Sequence, residues 1–518
     1  PDRTLDLTGY VVMPGGVEMH CHIAGPKVAA GRWLVPDQMR ESPRLERRPG
    51  LRSGIGGLTP TSFATGRLFA GLGYTTAMDA AIPGILARNA HDDFRDVASI
   101  DKGMYLLFGN NHYVMDRIRE GDDHRLDAYL AWALDAAKGY TIKVVNPGGI
   151  ECWKQISRKT LRELDEPTPG FGVSPRQIVR SLAHAADRLK LPHSVHLHCN
   201  NLGLPGNYET TLQTMEALEG ARGHFAHIQF HSYAGKREDG HSFASAVDKL
   251  FDYVMAHKNI TLDVGHVHPG RTLSMTGDAP FSQHLQELTG GRWFTSDSEH
   301  ESSCGIIPGE YRPEKVLIHA IQWAISLEWY LRMLDDPWRV AMTSDHPNGG
   351  AFFRYPEMIH LLMDSAFRRE AISRMPPEVK ERTRVAEIDR EYSLYDIAII
   401  TRAAPARILG LTHKGHLGEG ADADVAVFLP QDDKRAMFER PRYVFKSGVL
   451  VVSDGDPIAR DDDALDPAQT HFVSPGFDRD VLPGLRTWFE DHYSIRFRHY
   501  TVERELLSAP VEVGSNGQ

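Results

Sequence analysis

A chain of 518 residues, 41% hydrophobic and 25% charged, has material for a large buried core and for more than one structural unit. No apolar run approaches the roughly 18 residues of a membrane span, which excludes an integral membrane helix. A net charge of −11 without a basic tract argues against nucleic acid as a partner.

The four cysteines form no CxxC pair and suggest no disulfide framework, so a reducing, cytoplasmic setting is expected. The chain opens on Pro1, in PDRTLDLTGYVVMPGG, with neither a methionine nor a signal pattern, and a preceding segment is expected. Tyr10 to His22 is largely apolar and predicts a buried first strand. His20 and His22 then share one side of it, while Cys21 points to the other and packs. Residues 26–58, rich in Arg, Pro and Gly, read as a long loop over one end of the fold.

A helix is predicted over 59–71, with Thr59 as its cap and Pro60 at its first position. Strands follow in GYTTAMDAAI (73–82), GMYLLFGN (103–110) and GYTIKVVNP (139–147), separated by helical stretches at 85–98 and 124–138. Helices at 175–189, 208–219 and 241–258 precede strands in HSVHLHCNN (193–201), HFAHIQFHSY (224–233) and ITLDVGH (260–266). An eighth strand is RVAMTSDHP (339–347), after an insertion that contains SDSEHESSCG and an amphipathic helix over 313–334. This alternation predicts the α/β class and a (β/α)8 TIM-like barrel over 14–410. The pattern then changes. HLGEGADADVAVFLP and RYVFKSGVLVVSDG are glycine-punctuated and strand-like, which predicts a small β-sandwich portion over 411–460, completed by the expected preceding segment, of which residues 1–13 are the end. Residues 461–518 read as a C-terminal extension.

A barrel of this kind carries its chemistry at the C-terminal ends of its strands. Gathered there are His20 and His22, Lys143, histidines of strands five and six, and Asp345. Together they read as a two-metal hydrolase site. Zinc takes neutral imidazoles and carboxylates, and two zincs about 3.5–4 Å apart share a water whose pKa falls towards ~7. An anion must bridge them. Lys143 supplies it if its amine, desolvated in an apolar run, adds carbon dioxide to become N6-carboxylysine. HxH alone is a weak signal, and agreement among five strand positions is a strong one. Strand alternation does not choose between His196 and His198, or among His227, Gln229 and His231. His198 lies nearer its strand end and is preferred. His266 and His268 are further candidates, whereas His193 and His224 open their strands at the far end and read as structural.

These residues resemble the amidohydrolase superfamily, of the dihydroorotase and hydantoinase type with a carboxylated lysine. GGVEMHCHIAGPKV, IKVVNPGG, HCNNLGLPGN, HIQFHSY and TSDHPNGG look more specifically like the A subunits of formylmethanofuran dehydrogenases and of bacterial formyltransferase/hydrolase complexes. The resemblance implies His20, His22, Lys143, His198, His227 and Asp345 as a dinuclear zinc site. It implies N-formylmethanofuran as substrate, methanofuran as the carrier, and partner subunits that include a formyltransferase. Hydrolysis to formate is the expected direction, and synthesis in a methanogenic enzyme is the alternative. Asp345 would take the proton of the attacking water and pass it to the leaving amine. Asn200, Gln229, His231 and Asn348 are candidates for holding the formamide. Lys27, Arg32 and Arg40 could bind an acidic tail of the carrier. A cyclic amidase and a non-catalytic scaffold are the competing readings, and a complete ligand set argues against the scaffold.

Overall fold

The β/α alternation closes into a barrel. The computed structural model describes residues 4–34, 58–156, 159–236, 239–291, 305–458 and 466–514. Eight parallel strands form the barrel in sequence order: Gly16–Cys21, Tyr74–Ile82, Asp101–Leu107, Thr141–Val145, Val195–His198, Gly223–Phe225, Ile260–Asp263 and Val340–Ala341. All eight predicted strands are present. A parallel bridge between Cys21 and His346 joins the last to the first, supported by the His22 amide donating to the His346 carbonyl at 2.7 Å. The first six strands are buried at every residue, as expected of parallel strands covered on both faces.

The helices between strands follow the apolar periodicity. Asp123–Ala137, Pro175–Arg188 and Tyr208–Glu216 lie within or one residue outside the predicted spans. Ser174 and Gln177 cap Pro175–Arg188 reciprocally, which satisfies two otherwise free amide donors. The helix expected over 59–71 runs Ser62–Ala70 and is capped by Thr61 rather than Thr59. The span 241–258 divides. Its first residues belong to a hairpin, Tyr233–Lys236 with Asp239–Ser245, and only Val247–Ala256 is helical. The alternation in DGHSFAS favours the strand.

The insertion before the eighth strand forms a second hairpin, Gly270–Thr276 with Gly305–Tyr311, spanned by the helix Ala279–Thr289. Leu317–Met333 then covers the barrel. Most of SDSEHESSCG, and Arg40 in the first loop, lie outside the described residues.

Beside the barrel stands a five-stranded antiparallel sheet in the order Val11–Pro14, Val425–Phe428, Tyr443–Lys446, Val449–Ser453 and Asp456–Pro457. The N-terminal strand pairs with Val425–Phe428, so the two ends of the barrel segment share one sheet. The C-terminal extension adds Thr470–Phe472 and Pro510–Glu512 in parallel alongside barrel strand three. A buried ion cluster ties these parts together. Asp101 of strand three faces Lys414 at 2.5 Å, Lys446 at 3.2 Å and His471 at 3.2 Å, and Asp424 faces both lysines. No helix among the described residues is long and apolar enough to cross a membrane.

Candidate metal centre

The C-terminal ends of the strands converge on a buried group of imidazoles, one lysine and one carboxylate. His20 and His22 end the first strand on the same side, and their Nε2 atoms each lie 3.1 Å from Oδ1 of Asp345. That carboxylate oxygen is buried and has no hydrogen bond. Two lone-pair nitrogens and one oxygen thus meet without hydrogen-bond geometry, which is the donor set of a cation. Asp345 reaches this point because its backbone turns out of the strand at φ 51°. Asn348 donates from Nδ2 to Asp345 Oδ2 at 3.0 Å and holds the carboxylate in place.

A second group forms on strands five and six. His198 Nδ1 faces His227 Nε2 at 3.2 Å. The sixth strand stops at Phe225, His227 takes a left-handed conformation at φ 34°, and Ile228–His231 forms a 3-10 turn. The strand predicted to run to Tyr233 therefore ends early, and His227, Gln229 and His231 do not alternate. The turn instead places His231 beside His227, with ring centroids 5.2 Å apart and planes tilted by 27°. Ligating atoms of His198, His227 and His231 lie within 4.8 Å of one another.

Lys143, on strand four, is the fourth corner. Its Nζ is buried and has no hydrogen-bond partner, an arrangement that is costly for an ammonium. Burial pulls its pKa down to about 8, against the opposing attraction of Asp263 and Asp345. Two groups of these side chains could each hold a metal ion, His20, His22 and Asp345 in one and His198, His227 and His231 in the other.

A carboxylate stands behind most of these imidazoles. Asp263 Oδ2 lies 2.9 Å from His20 Nδ1 and 3.1 Å from His224 Nε2, and Asp263 Oδ1 accepts from the His227 amide at 2.6 Å. Asp278 Oδ2 lies 3.1 Å from His198 Nε2, and Asp79 Oδ1 lies 3.7 Å from His22 Nδ1. For His20 and His198 the carboxylate meets the ring nitrogen away from the centre at hydrogen-bond distance, which favours the tautomer that leaves the inner nitrogen its lone pair. Burial depresses the pKa of His198, His227 and His231, keeping them neutral. His20 differs: burial opposes its charged form, yet Asp263 and Asp345 override that and raise its pKa to about 9. The position between these two carboxylates calls for positive charge.

Sequence pattern alone does not single out Asp263, Asp278 or Asp79. Asp79 and Asp263 carry a detectable signal, an acid inside an otherwise apolar strand, since a buried carboxylate needs partners. Asp278 reads only as the cap of Ala279–Thr289, where it accepts from the Phe281 amide.

The remaining candidates separate. Asn200 donates to Asn146 Oδ1 and the Pro147 carbonyl, and its own Oδ1 is buried without a partner. Gln229 accepts from the Tyr233 hydroxyl and leaves Nε2 buried without a partner. Asn348 has both ends engaged, with Asp345 and with the backbone of Met275. Lys27 is spent on Asp79 at 2.9 Å and the Ala81 carbonyl, and Arg32 donates to the Pro60 carbonyl. His196 contacts His193 and the outer nitrogen of His20. His266 and His268 have ring centroids 4.7 Å apart with no hydrogen bond from either ring, and His266 lies beside Trp323 and Tyr330 of the covering helix.

Comparison with known proteins agrees with this architecture. The model of the family described as "Amidohydrolase family" matches residues 3–459. Protein FwdA of Methanocaldococcus jannaschii is 39% identical over 528 residues, covering 98% of this chain and 91% of that protein. The A subunit of the formyltransferase/hydrolase complex Fhc of Methylorubrum extorquens is 38% identical over 470 residues, covering 89% of this chain and 83% of that one. Among solved structures, the Methylorubrum extorquens FhcABCD complex with methylofuran superposes with a TM-score of 0.90 at 34% identity, over 100% of this chain and 93% of its counterpart. The chain belongs to the amidohydrolase family.

Proposed function

We propose that this hydrolase cleaves the formyl amide of a methanofuran-type carrier, releasing formate and the free amine, as the A subunit of a formyltransferase/hydrolase-type complex. The observation that carries the reading is Lys143, whose buried Nζ has no hydrogen-bond partner in a barrel where His20, His22 and Asp345 form one group able to hold a metal ion and His198, His227 and His231 another. The likeness to a complex that holds methylofuran supports the substrate class and the partners.

His20, His22, Asp345, His198, His227 and a carboxylated Lys143 would hold two zinc ions, which would supply an activated water with a pKa lowered towards ~7 and polarisation of an amide carbonyl. The rest is the work of the chain. Asp345 is the proton carrier: its buried carboxylate is held by Asn348 at Oδ2 and has no hydrogen bond at Oδ1, beside His20 and His22. It takes a proton from the attacking water and delivers it to the departing nitrogen. Asn200 Oδ1 and Gln229 Nε2, each lacking a partner, offer one acceptor and one donor, the complement of a formamide N–H and C=O. The condensation of formate with the amine uses the same groups in reverse.

The experiment is formate release from the N-formyl carrier by the assembled complex, with and without a zinc chelator. Chelator-sensitive release is expected. A zinc-loaded, intact assembly that releases no formate overturns the reading.

A further inference from the structure

His231 is fully buried, and neither of its ring nitrogens has a hydrogen-bond partner. A neutral imidazole carries one N–H and one lone pair, and leaving both unmatched in the interior is costly. Its neighbours do not relieve this. The ring lies 27° from parallel to His227 and 73° from parallel to His198, with centroids 5.2 and 5.4 Å away. His198 presents Nδ1, the nitrogen that Asp278 leaves free, and His227 presents Nε2. Three imidazoles therefore direct nitrogen atoms into one space, with ligating atoms inside 4.8 Å. The backbone is arranged to do this. The left-handed His227 and the 3-10 turn that follows it place residues four apart side by side, where a continued strand would have sent them along the barrel wall.

On the reading of a dinuclear site, we propose that His231 is a third imidazole ligand of the His198 and His227 cation, so that this position has one more protein nitrogen than the two that the sequence pattern implies. A cation shared among the three nitrogens takes the lone pair of one His231 nitrogen, the more costly of the two to leave unmatched beside two further imidazoles. The two positions then have three protein ligands each, His20, His22 and Asp345 for one and His198, His227 and His231 for the other.

The test uses the complete chain with its partner subunits and reads metal directly. X-ray absorption at the zinc edge counts imidazoles in the unmodified protein, and five imidazoles per zinc pair are expected. Four overturn the proposal. In His231→Ala, release of the second zinc equivalent to a chelator is expected to accelerate by roughly 10-fold or more, and His231→Asp, which offers a carboxylate oxygen, is expected to recover retention. Two equivalents of zinc in His231→Ala, released at the unmodified rate, overturn it. A merely structural role for His231 predicts that the buried aspartate is worse than alanine. Absence of zinc from the unmodified, assembled protein removes the dinuclear reading and this inference together. Loss of the His231 effect alone removes only the inference.

Discussion

Asp263 and His20 are 243 residues apart in the chain, yet the carboxylate of one lies 2.9 Å from Nδ1 of the other at the closed base of the centre. The same carboxylate meets His224 and the backbone of His227. One residue of strand seven thereby orients groups from strands one and six.

Asp263→Asn is expected to keep the volume and lose the orientation. His20 would no longer be held with its inner nitrogen free, and zinc affinity should fall by roughly 10- to 100-fold. Titration of the metal-depleted variant with zinc checks this. An affinity equal to that of the unmodified protein would show that the pairing is incidental.

Lys143→Ala is expected to abolish formate release and to lower zinc content, because the bridging anion is gone. Intact-protein mass of the unmodified chain under native conditions should exceed the sequence mass by one carboxyl group. Full zinc occupancy and full turnover in the alanine variant would rule out carboxylation as the source of the bridge.

Gly265 lies under His227 at φ 68°, and a Cβ placed there would come within 2.3 Å of the His227 Cβ. Gly265→Ala combines that overlap with an unfavourable backbone, costing about 1–3 kcal/mol for the backbone alone. Because the overlap displaces His227, zinc content is expected to fall along with the melting temperature. A variant with full zinc and unchanged melting would mean that the turn yields without moving the imidazole.

The buried cluster that joins barrel, sheet and extension should make stability depend on pH. Burial would raise the pKa of Asp101, but Lys414, His471 and Lys446 hold it far below the usual range. Burial would lower that of Lys414, but Asp101 and Asp424 hold it far above. Asp101 therefore contributes stability that is present above its unfolded pKa of ~3.9 and lost as pH falls towards the folded value. Lys414 contributes stability that is present below ~10.4 and lost as pH rises towards its folded value. Asp101→Asn leaves two buried lysines short of a counter-charge, at about 3–5 kcal/mol. The melting temperature of the unmodified protein should exceed that of the variant by a constant margin from about pH 5 to 9, narrowing below ~4. A margin that does not narrow in acid would assign the effect to packing.

Patterning along the chain was enough to specify the barrel and the strands from which the centre is built. Apolar runs at β length alternating with amphipathic helices leave few ways to bury both sets of faces, and a parallel barrel is the one that uses them in order. His20, His22, Lys143 and Asp345 were legible because each lies in or just beyond a strand whose C-terminal end this order places at one mouth. Alternation within a strand is a local rule, however, and it lapses where the chain leaves the strand. The left-handed turn at His227 is such a place, and only the tertiary structure decided that His231 lies beside His227. The tertiary structure likewise decided that Asp263, Asp278 and Asp79 stand behind the imidazoles. It also engaged Asn348 with Asp345 and Lys27 with Asp79, although both had read as substrate contacts. These pairings join residues far apart in the chain, and they exist because closing the barrel buries charges and imidazoles together, where each must find a partner.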